Sequence, residues 1–209
     1  MKDKKKSMEW LVIFIILIVM FAVAGTYAFL NIKDYYAGTF NVEIRSKGVD
    51  IFTFEKSQDV SINLTEYNFS QGWGHDVIGE TDINPTLETT NAKSKICYKL
   101  DMVLPDEQVF QYTNGNNPEL VLDILYSTDG NNYSPIIANM DITATTGTIP
   151  IPVINDSNNY KHVIETTKGK KKKQYYKARV TFKFHDNVDQ SINNNKDFYS
   201  SLNANVVEC

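Results

Sequence analysis

Beyond residue 39, apolar and polar residues alternate along short segments, and this pattern limits the fold more than any other feature of the chain. The clearest segment is residues 176–184, where every second residue is apolar and those between are Lys, Arg and Thr. Residues 96–104 alternate in the same way, and in residues 39–44 the apolar Phe40, Val42 and Ile44 share one side. A period of two with one apolar face is typical of a half-buried strand in an antiparallel sheet.

Further segments have the composition of short strands and are separated by Gly, Asn, Asp and Pro. They are residues 49–54, 60–64, 120–126, 133–138, 149–154, 160–166 and 202–207. About ten short strands predict an all-β, jelly-roll-like antiparallel β-sandwich, preceded by an N-terminal apolar helix. The Asp-Gly-Asn-Asn segment at 129–132 predicts a hairpin turn, whereas residues 70–81 and 186–197 are expected to be long irregular connections.

The first 32 residues differ from the rest, because a lysine-rich head is followed by a long apolar segment. Four lysines precede residues 10–32, a run of 23 residues without a charge. A basic head, an apolar middle and small residues at its end are typical of an export signal, and Ala28 and Phe29 flank the expected cleavage site. A run of this length can also cross a bilayer as an uncleaved helix.

Both interpretations place the rest of the chain outside the cytoplasm, because the lysines hold the N-terminus inside. We expect residues 1–28 to be a signal peptide or a membrane anchor, and residues 29–209 to form a single β-sandwich domain. The expected partners are the membrane, contacted through residues 10–32 at least before processing, and a signal peptidase.

The charge of the chain argues against a nucleic-acid partner. The whole sequence has a net charge of −4, and the first 28 residues hold four of its 21 basic and two of its 25 acidic side chains. The exported part is therefore more acidic than the whole, whereas binding to nucleic-acid phosphates needs a basic surface.

The two cysteines, Cys97 and Cys209, permit one disulfide in an exported chain. Both fall in the polar phase of their expected strands. On neighbouring strands they could form a bridge across the sheet surface. On distant strands both thiols would be exposed, and Cys209 could cross-link two chains.

Catalytic and metal-binding patterns do not appear in the sequence. The histidines His75, His162 and His185 form no His-Glu-x-x-His array, and Asp123 and Asp129 lack the spacing of an EF-hand. We therefore predict a protein that is not an enzyme and that has no cofactor and no metal. A hydrolase would depend on one of the three histidines.

Two local clusters each allow a structural and a functional interpretation. Residues 168–173 hold five lysines and one glycine and are expected to be a hairpin tip. A solvated loop that discourages pairing is favoured there over a contact with an anionic wall polymer or lipid headgroups. The aromatic residues Tyr67, Phe69 and Trp73 are expected to cap the end of the sandwich rather than to stack on a sugar.

Three segments, in order along the chain, carry a family resemblance. Residues 25–29 read Gly-Thr-Tyr-Ala-Phe, residues 37–42 read Ala-Gly-Thr-Phe-Asn-Val, and residues 176–184 are followed by an Asn-rich loop and a last strand. This arrangement resembles the signal junction, first strand and closing strands of the TasA/camelysin family of exported bacterial matrix proteins. The resemblance implies a jelly-roll sandwich, a dedicated signal peptidase and a structural role at the surface of a Gram-positive-type cell.

Two functional interpretations remain open. The first is an exported structural protein of the bacterial cell surface or extracellular (biofilm) matrix. After cleavage, residues 29–44 would be a free arm whose Phe40, Val42 and Ile44 support self-assembly by adding a strand to the next subunit. The second is a single-pass membrane protein, anchored by residues 10–32, whose outer β-sandwich presents a binding face.

Overall fold

The computed structural model describes the backbone of residues 40–46 and, with side chains, residues 50–69, 74–113 and 117–209. The β-structure belongs to one compact unit, Thr39–Cys209, and the second unit, Met1–Gly38, is not among the described residues. The predicted N-terminal helix and the predicted cleavage site at Ala28 and Phe29 therefore lie outside the described residues. Within the described ranges, no helix is long and apolar enough to cross a membrane.

The described residues contain twelve strands and two short 3₁₀ helices. The strands are β1 (Phe40–Ser46), β2 (Asp50–Lys56), β3 (Val60–Leu64), β4 (Val77–Thr89), β5 (Lys93–Val103), β6 (Leu120–Ser127), β7 (Ser134–Asp141), β8 (Thr148–Ile151), β9 (His162–Thr167), β10 (Lys171–Lys173), β11 (Tyr175–Phe182) and β12 (Lys196–Val207). The 3₁₀ helices are Glu66–Phe69 and Ser191–Asn193.

The strands form two antiparallel sheets. The seven-stranded sheet has the order β1-β2-β4-β11-β6-β7, with β10 also paired to β4. The five-stranded sheet has the order β3-β12-β5-β8, with β9 also paired to β5. From β2 to β6, consecutive strands alternate between the two sheets. The all-β, two-sheet sandwich predicted from the sequence is confirmed, and this repeated crossing is its jelly-roll-like feature.

The core lies between the inward faces of the sheets, as the alternation of the sequence predicts. Buried residues recur at every second position of β5 and β11, namely Tyr98, Leu100, Met102, Tyr176, Ala178, Val180 and Phe182. Burying one large apolar side chain contributes about 1.5–3 kcal/mol, so this period is the main reason that the two strands face each other. The hairpin predicted at residues 129–132 is confirmed by the antiparallel pairing of β6 with β7.

The prediction of an irregular connection at residues 70–81 was wrong for its described end, because β4 begins at Val77. Gly79 lies where the sheets approach closely, since a Cβ there would stand 2.8 Å from Val60 Cγ1. On one side of β4, Pro85 lies opposite Phe54 of β2. On the other side, it lies between the part of β4 that pairs with β10 and the part that pairs with β11. Glycine and proline are uncommon inside strands, so Gly79 and Pro85 hide the strand character of β4 in the sequence, although each fits its place in the sheet.

The prediction of a hairpin tip at residues 168–173 was also wrong. The strand before it, β9, pairs with β5, whereas β10 pairs with β4, so the segment carries the chain from one sheet to the other. The turn is limited to about three residues, and Lys171–Lys173 continue as β10. A single sequence does not distinguish a hairpin from such a crossing, because both need only a polar turn between two strands.

Candidate assembly edge

The strand β1 lies at one margin of the seven-stranded sheet. Its backbone pairs with β2 from Phe40 opposite Lys56 to Ser46 opposite Asp50, and it has no other strand partner among the described residues. Thus residues 40–44 of the predicted free arm are paired within their own chain. Residues 29–39 of that arm are not among the described residues.

The register places the predicted apolar positions of β1 beside buried aromatic residues. Val42 lies opposite Phe54, and Ile44 lies opposite Phe52. Both phenylalanines are buried, with ring centroids 4.7 Å apart, and both rings lie within 6 Å of the Tyr98 ring. Phe52 and Phe54 therefore belong to the main core, and β1 pairs with a strand whose inward side chains are buried.

The opposite margin, β7, is irregular. Its pairing with β6 shifts register twice, and Asn139 has a left-handed backbone with φ of 50°. The backbone N–H of Asn139 donates to Asp123 Oδ1 at 2.8 Å, which fixes the bulge. The strand also contains Pro135, which has no N–H. Bulges and proline are devices that prevent an edge from pairing with another chain.

The two cysteines form a disulfide in the structure. Cys97 of β5 lies opposite Val207 of β12, and Cys209 follows two residues later, with 5.2 Å between the two cysteine Cα atoms. Cys97 is in the outward phase, as predicted, yet only 2% exposed. The bridge therefore lies across neighbouring strands and ties the end of β12 to β5.

The three histidines lie in different parts of the fold. His75 is exposed before β4, and His185 lies after β11 with its Nε2 at 3.1 Å from the Pro118 carbonyl. His162, at the start of β9, is buried, with Nε2 at 3.0 Å from the Ile151 carbonyl. Because a carbonyl only accepts, Nε2 of His162 carries the proton.

A buried polar network surrounds His162. Nδ1 of His162 lies 3.1 Å from the Tyr176 hydroxyl, which lies 2.9 Å from the Tyr98 hydroxyl, and Tyr98 donates to Gln174 Oε1 at 2.6 Å. Burial lowers the pKa of His162 and raises the pKa values of Tyr98 and Tyr176. The network therefore consists of neutral groups between the sheets, in which the two tyrosine hydroxyl protons are shared among these three contacts.

Other sequence candidates also take local structural roles. Asp129 accepts hydrogen bonds from the backbone of Asn132 and Asn131 and from Ser127, which together lower its pKa, so it fixes the β6–β7 turn. Asp123 accepts the hydrogen bond from the Asn139 backbone N–H at the bulge of β7. In the described ranges, no group of three or more His, Cys, Asp or Glu side chains could hold a metal ion.

The aromatic cluster is only partly brought together. Phe69 packs edge-on against Phe182 of the core, with ring centroids 6.1 Å apart, as a residue that caps the sandwich does. Tyr67 is 63% exposed, and Trp73 lies outside the described residues.

A buried carboxylate that the sequence did not indicate joins the segment before β6 to the loop after β11. Glu119 is fully buried and accepts hydrogen bonds from Thr113 and from Gln190 Nε2. Gln190 also donates to the Lys183 carbonyl at 2.8 Å, so one amide joins two segments. The nearby depression beside Phe110 and Phe198 has no interior space for a water molecule. Buried polar pairs of distant residues leave no signal in a single sequence.

No protein-family model and no curated protein matches the chain. Among solved structures, the chain is similar to TmCBM61 in complex with β-1,4-galactotriose, at 4% identity and a TM-score of 0.25, over 83% of this chain and 93% of that one. It is also similar to CpGH89CBM32-6 produced by Clostridium perfringens, at 13% identity and a TM-score of 0.23, over 74% and 94% of the two chains. Similarities with TM-scores this low carry no argument about function. The two-sheet sandwich is established by the strand pairing of this chain.

Proposed function

We propose that this chain is an exported structural protein of the bacterial cell surface or extracellular matrix, which assembles through its N-terminal strand. One observation carries the proposal: β1, the first strand among the described residues, lies at a sheet margin and pairs with a single neighbour. An edge strand presents unpaired backbone groups and is a ready template for another chain.

The pairing of β1 within its own chain makes strand exchange the route to assembly. In a polymer, β1 of one subunit would take the same place on β2 of the next, so the backbone bonds and the contacts beside Phe52 and Phe54 would form again. Exchange of an identical element has a low cost for this reason. Reciprocal exchange between two chains would close a dimer, whereas exchange that continues from one subunit to the next is head-to-tail and produces a filament, which is the arrangement that we propose.

The Cys97–Cys209 disulfide supports the exported location, because such bonds persist mainly in oxidising compartments. The jelly-roll assignment and the TasA/camelysin resemblance belong to the same proposal. The proposal includes no enzymatic role, and it is supported by the packing of the buried His162 network and by the structural contacts of Asp123 and Asp129.

Assembly can be tested by removing β1 together with the segment that precedes it. A chain that lacks residues 29–46 should remain monomeric, because it has no strand to place on β2 of a neighbour. The intact chain, exported with the same leader, is the control, and electron microscopy with sedimentation provides the readout. Fibres of normal length after this deletion would show that assembly does not need the N-terminal arm.

The second candidate, a single-pass surface protein, is favoured by the 23-residue uncharged run. Intact mass and N-terminal sequencing of protein from culture distinguish the two. A start at Phe29 in the medium supports the matrix protein, whereas a lysine-rich N-terminus in the membrane fraction supports the anchored one.

A further inference from the structure

Two neighbouring turns gather exposed lysines at one end of the sandwich. The first turn joins β4 to β5, and the second joins β9 to β10. We call the exposed lysines of these turns and of the strand ends beside them the basic end; they are Lys93, Lys95, Lys168, Lys170, Lys171 and Lys172.

Backbone hydrogen bonds hold the two turns together. Gly169 N donates to the Thr89 carbonyl at 3.0 Å, and Lys168 N donates to the Ala92 carbonyl at 3.4 Å. Gly169 has a φ of 71°, which a residue with a side chain rarely adopts. The lysine charges are therefore carried by a fixed backbone and not by a free loop.

Nearby acids neutralise only part of this charge. Glu165 lies 3.1 Å from Lys93 and 3.9 Å from Lys95, and Glu88 lies opposite Lys171 in the sheet. The carboxylate of Asp50 accepts hydrogen bonds from Thr89 and Ser94.

Four lysines of the basic end remain without a carboxylate partner. In the part of the chain that the structure describes, Lys168, Lys170, Lys171 and Lys172 form no ion pair. The basic end is thus positive on a chain whose net charge is −4. A local surplus of one sign attracts and concentrates ligands of the opposite sign.

We propose that the basic end is a docking surface for a flexible phosphodiester polymer outside the cell. The lysines point to both sides of β10: Lys171 lies opposite the exposed Glu88, and Lys172 lies opposite the buried Leu87. A flexible polymer can contact lysines on both sides of β10, whereas a flat bilayer can contact only one side.

The composition of the turns also favours a simple polymer. Residues 89–95 and 167–173 contain no aromatic residue and no Leu, Ile or Met. Anchoring in a bilayer interface uses such apolar side chains, and binding of single-stranded nucleic acid uses aromatic rings that stack on bases. Lysine alone recognises the charge of a backbone that has no bases.

The test measures binding of lipid-free poly(glycerol phosphate) to the exported protein, purified with the N-terminus that the cell leaves. If about four lysines each displace a counterion, the affinity should fall roughly 50-fold between 50 and 200 mM salt. The double variant Lys170→Gln/Lys172→Gln should bind roughly 30-fold more weakly than the unaltered protein. The matched control, Lys99→Gln/Lys161→Gln, removes the same charge from two exposed lysines outside the turns and should retain most of the affinity.

Several outcomes would overturn the proposal. They are an equal loss in both double variants, no binding by the unaltered protein at 50 mM salt, or tighter binding to anionic lipid vesicles or single-stranded DNA than to the polymer. Equal melting temperatures of the two variants show that both are folded. Because this binding is measured in solution and does not need polymers of the protein, its failure is distinguishable from failure of the proposed assembly.

Discussion

The two sheets of the sandwich differ in how β1 and β12, the first and last strands described, are held. In the seven-stranded sheet, β1 is attached through its pairing with β2. In the five-stranded sheet, the Cys97–Cys209 disulfide fastens β12 to β5. His162 of β9 also contacts Ile151 of β8 and Tyr176 of β11, so polar contacts join the short outer strands to both sheets.

This difference indicates where the fold can give up a strand. Release of β1 breaks backbone bonds that an identical neighbour can restore. Release of β9 would leave buried polar groups without partners, at a cost of about 1–3 kcal/mol for each group. Exchange is therefore expected at β1 rather than at β9, and each of the following predictions tests one side of the contrast.

The largest expected effect comes from locking β1 to β2. Glu43 and Thr53 lie opposite each other in the register, and the double variant Glu43→Cys/Thr53→Cys places a disulfide between the strands. Oxidised protein should form no fibres, because β1 cannot leave its own chain. The two single variants, alkylated, should assemble normally, and electron microscopy gives the readout. Fibres from the locked protein would show that assembly does not use exchange of β1.

Removal of the native disulfide should weaken the five-stranded sheet. The bond joins cysteines 112 residues apart, and loop-closure entropy predicts that the double variant Cys97→Ser/Cys209→Ser loses about 5 kcal/mol in its free energy of unfolding. Urea unfolding measures the loss. Unaltered protein kept under reductant is the control and should lose a similar amount. A loss below about 1 kcal/mol would mean that the backbone hydrogen bonds between β5 and β12 hold these strands together without the disulfide.

A smaller loss is expected from Tyr176→Phe, which removes one hydroxyl from the buried network. His162 Nδ1, which accepts from the Tyr176 hydroxyl, would lose this donor, so the free energy of unfolding should fall by about 1–3 kcal/mol. Tyr175→Phe, on the neighbouring half-buried residue, is the control and should change stability little. Equal effects of the two changes would contradict a role for the network.

The smallest effect is a dependence on pH. Burial lowers the pKa of His162 below its ordinary value of 6.5, so below that pH the unfolded chain binds a proton that the folded chain excludes. Stability should therefore decrease as the pH falls through about 6.5, and melting curves between pH 8 and 5 measure the slope. His162→Gln should flatten the profile in this range, whereas an unchanged slope would assign the dependence to other groups.

The sequence predicted most strands, because burial on one face imposes a period of two. It did not predict β4, where Gly79 and Pro85 have roles that depend on the strands beside them. The charge pattern located the lysines of residues 168–173 but not Lys93 beside them, since their contact is a tertiary one.

For the candidate assembly edge, the sequence indicated that β1 is a strand but not that it pairs with β2. The connection of three residues with Gly48 at its centre was a signal for a hairpin that could have been used. The buried Glu119 with Gln190 could not have been found, because the two lie 71 residues apart.

The repeated crossing between sheets has a consequence for how the molecule matures. The central neighbours come from distant parts of the chain, with β4 beside β11 and β5 beside β12. Neither sheet can be completed until the late strands are present, and such distant pairing is slow. In the export that we propose, a newly made chain would therefore stay open while it passes through a translocation channel and would acquire its final shape only after β12 has emerged on the far side.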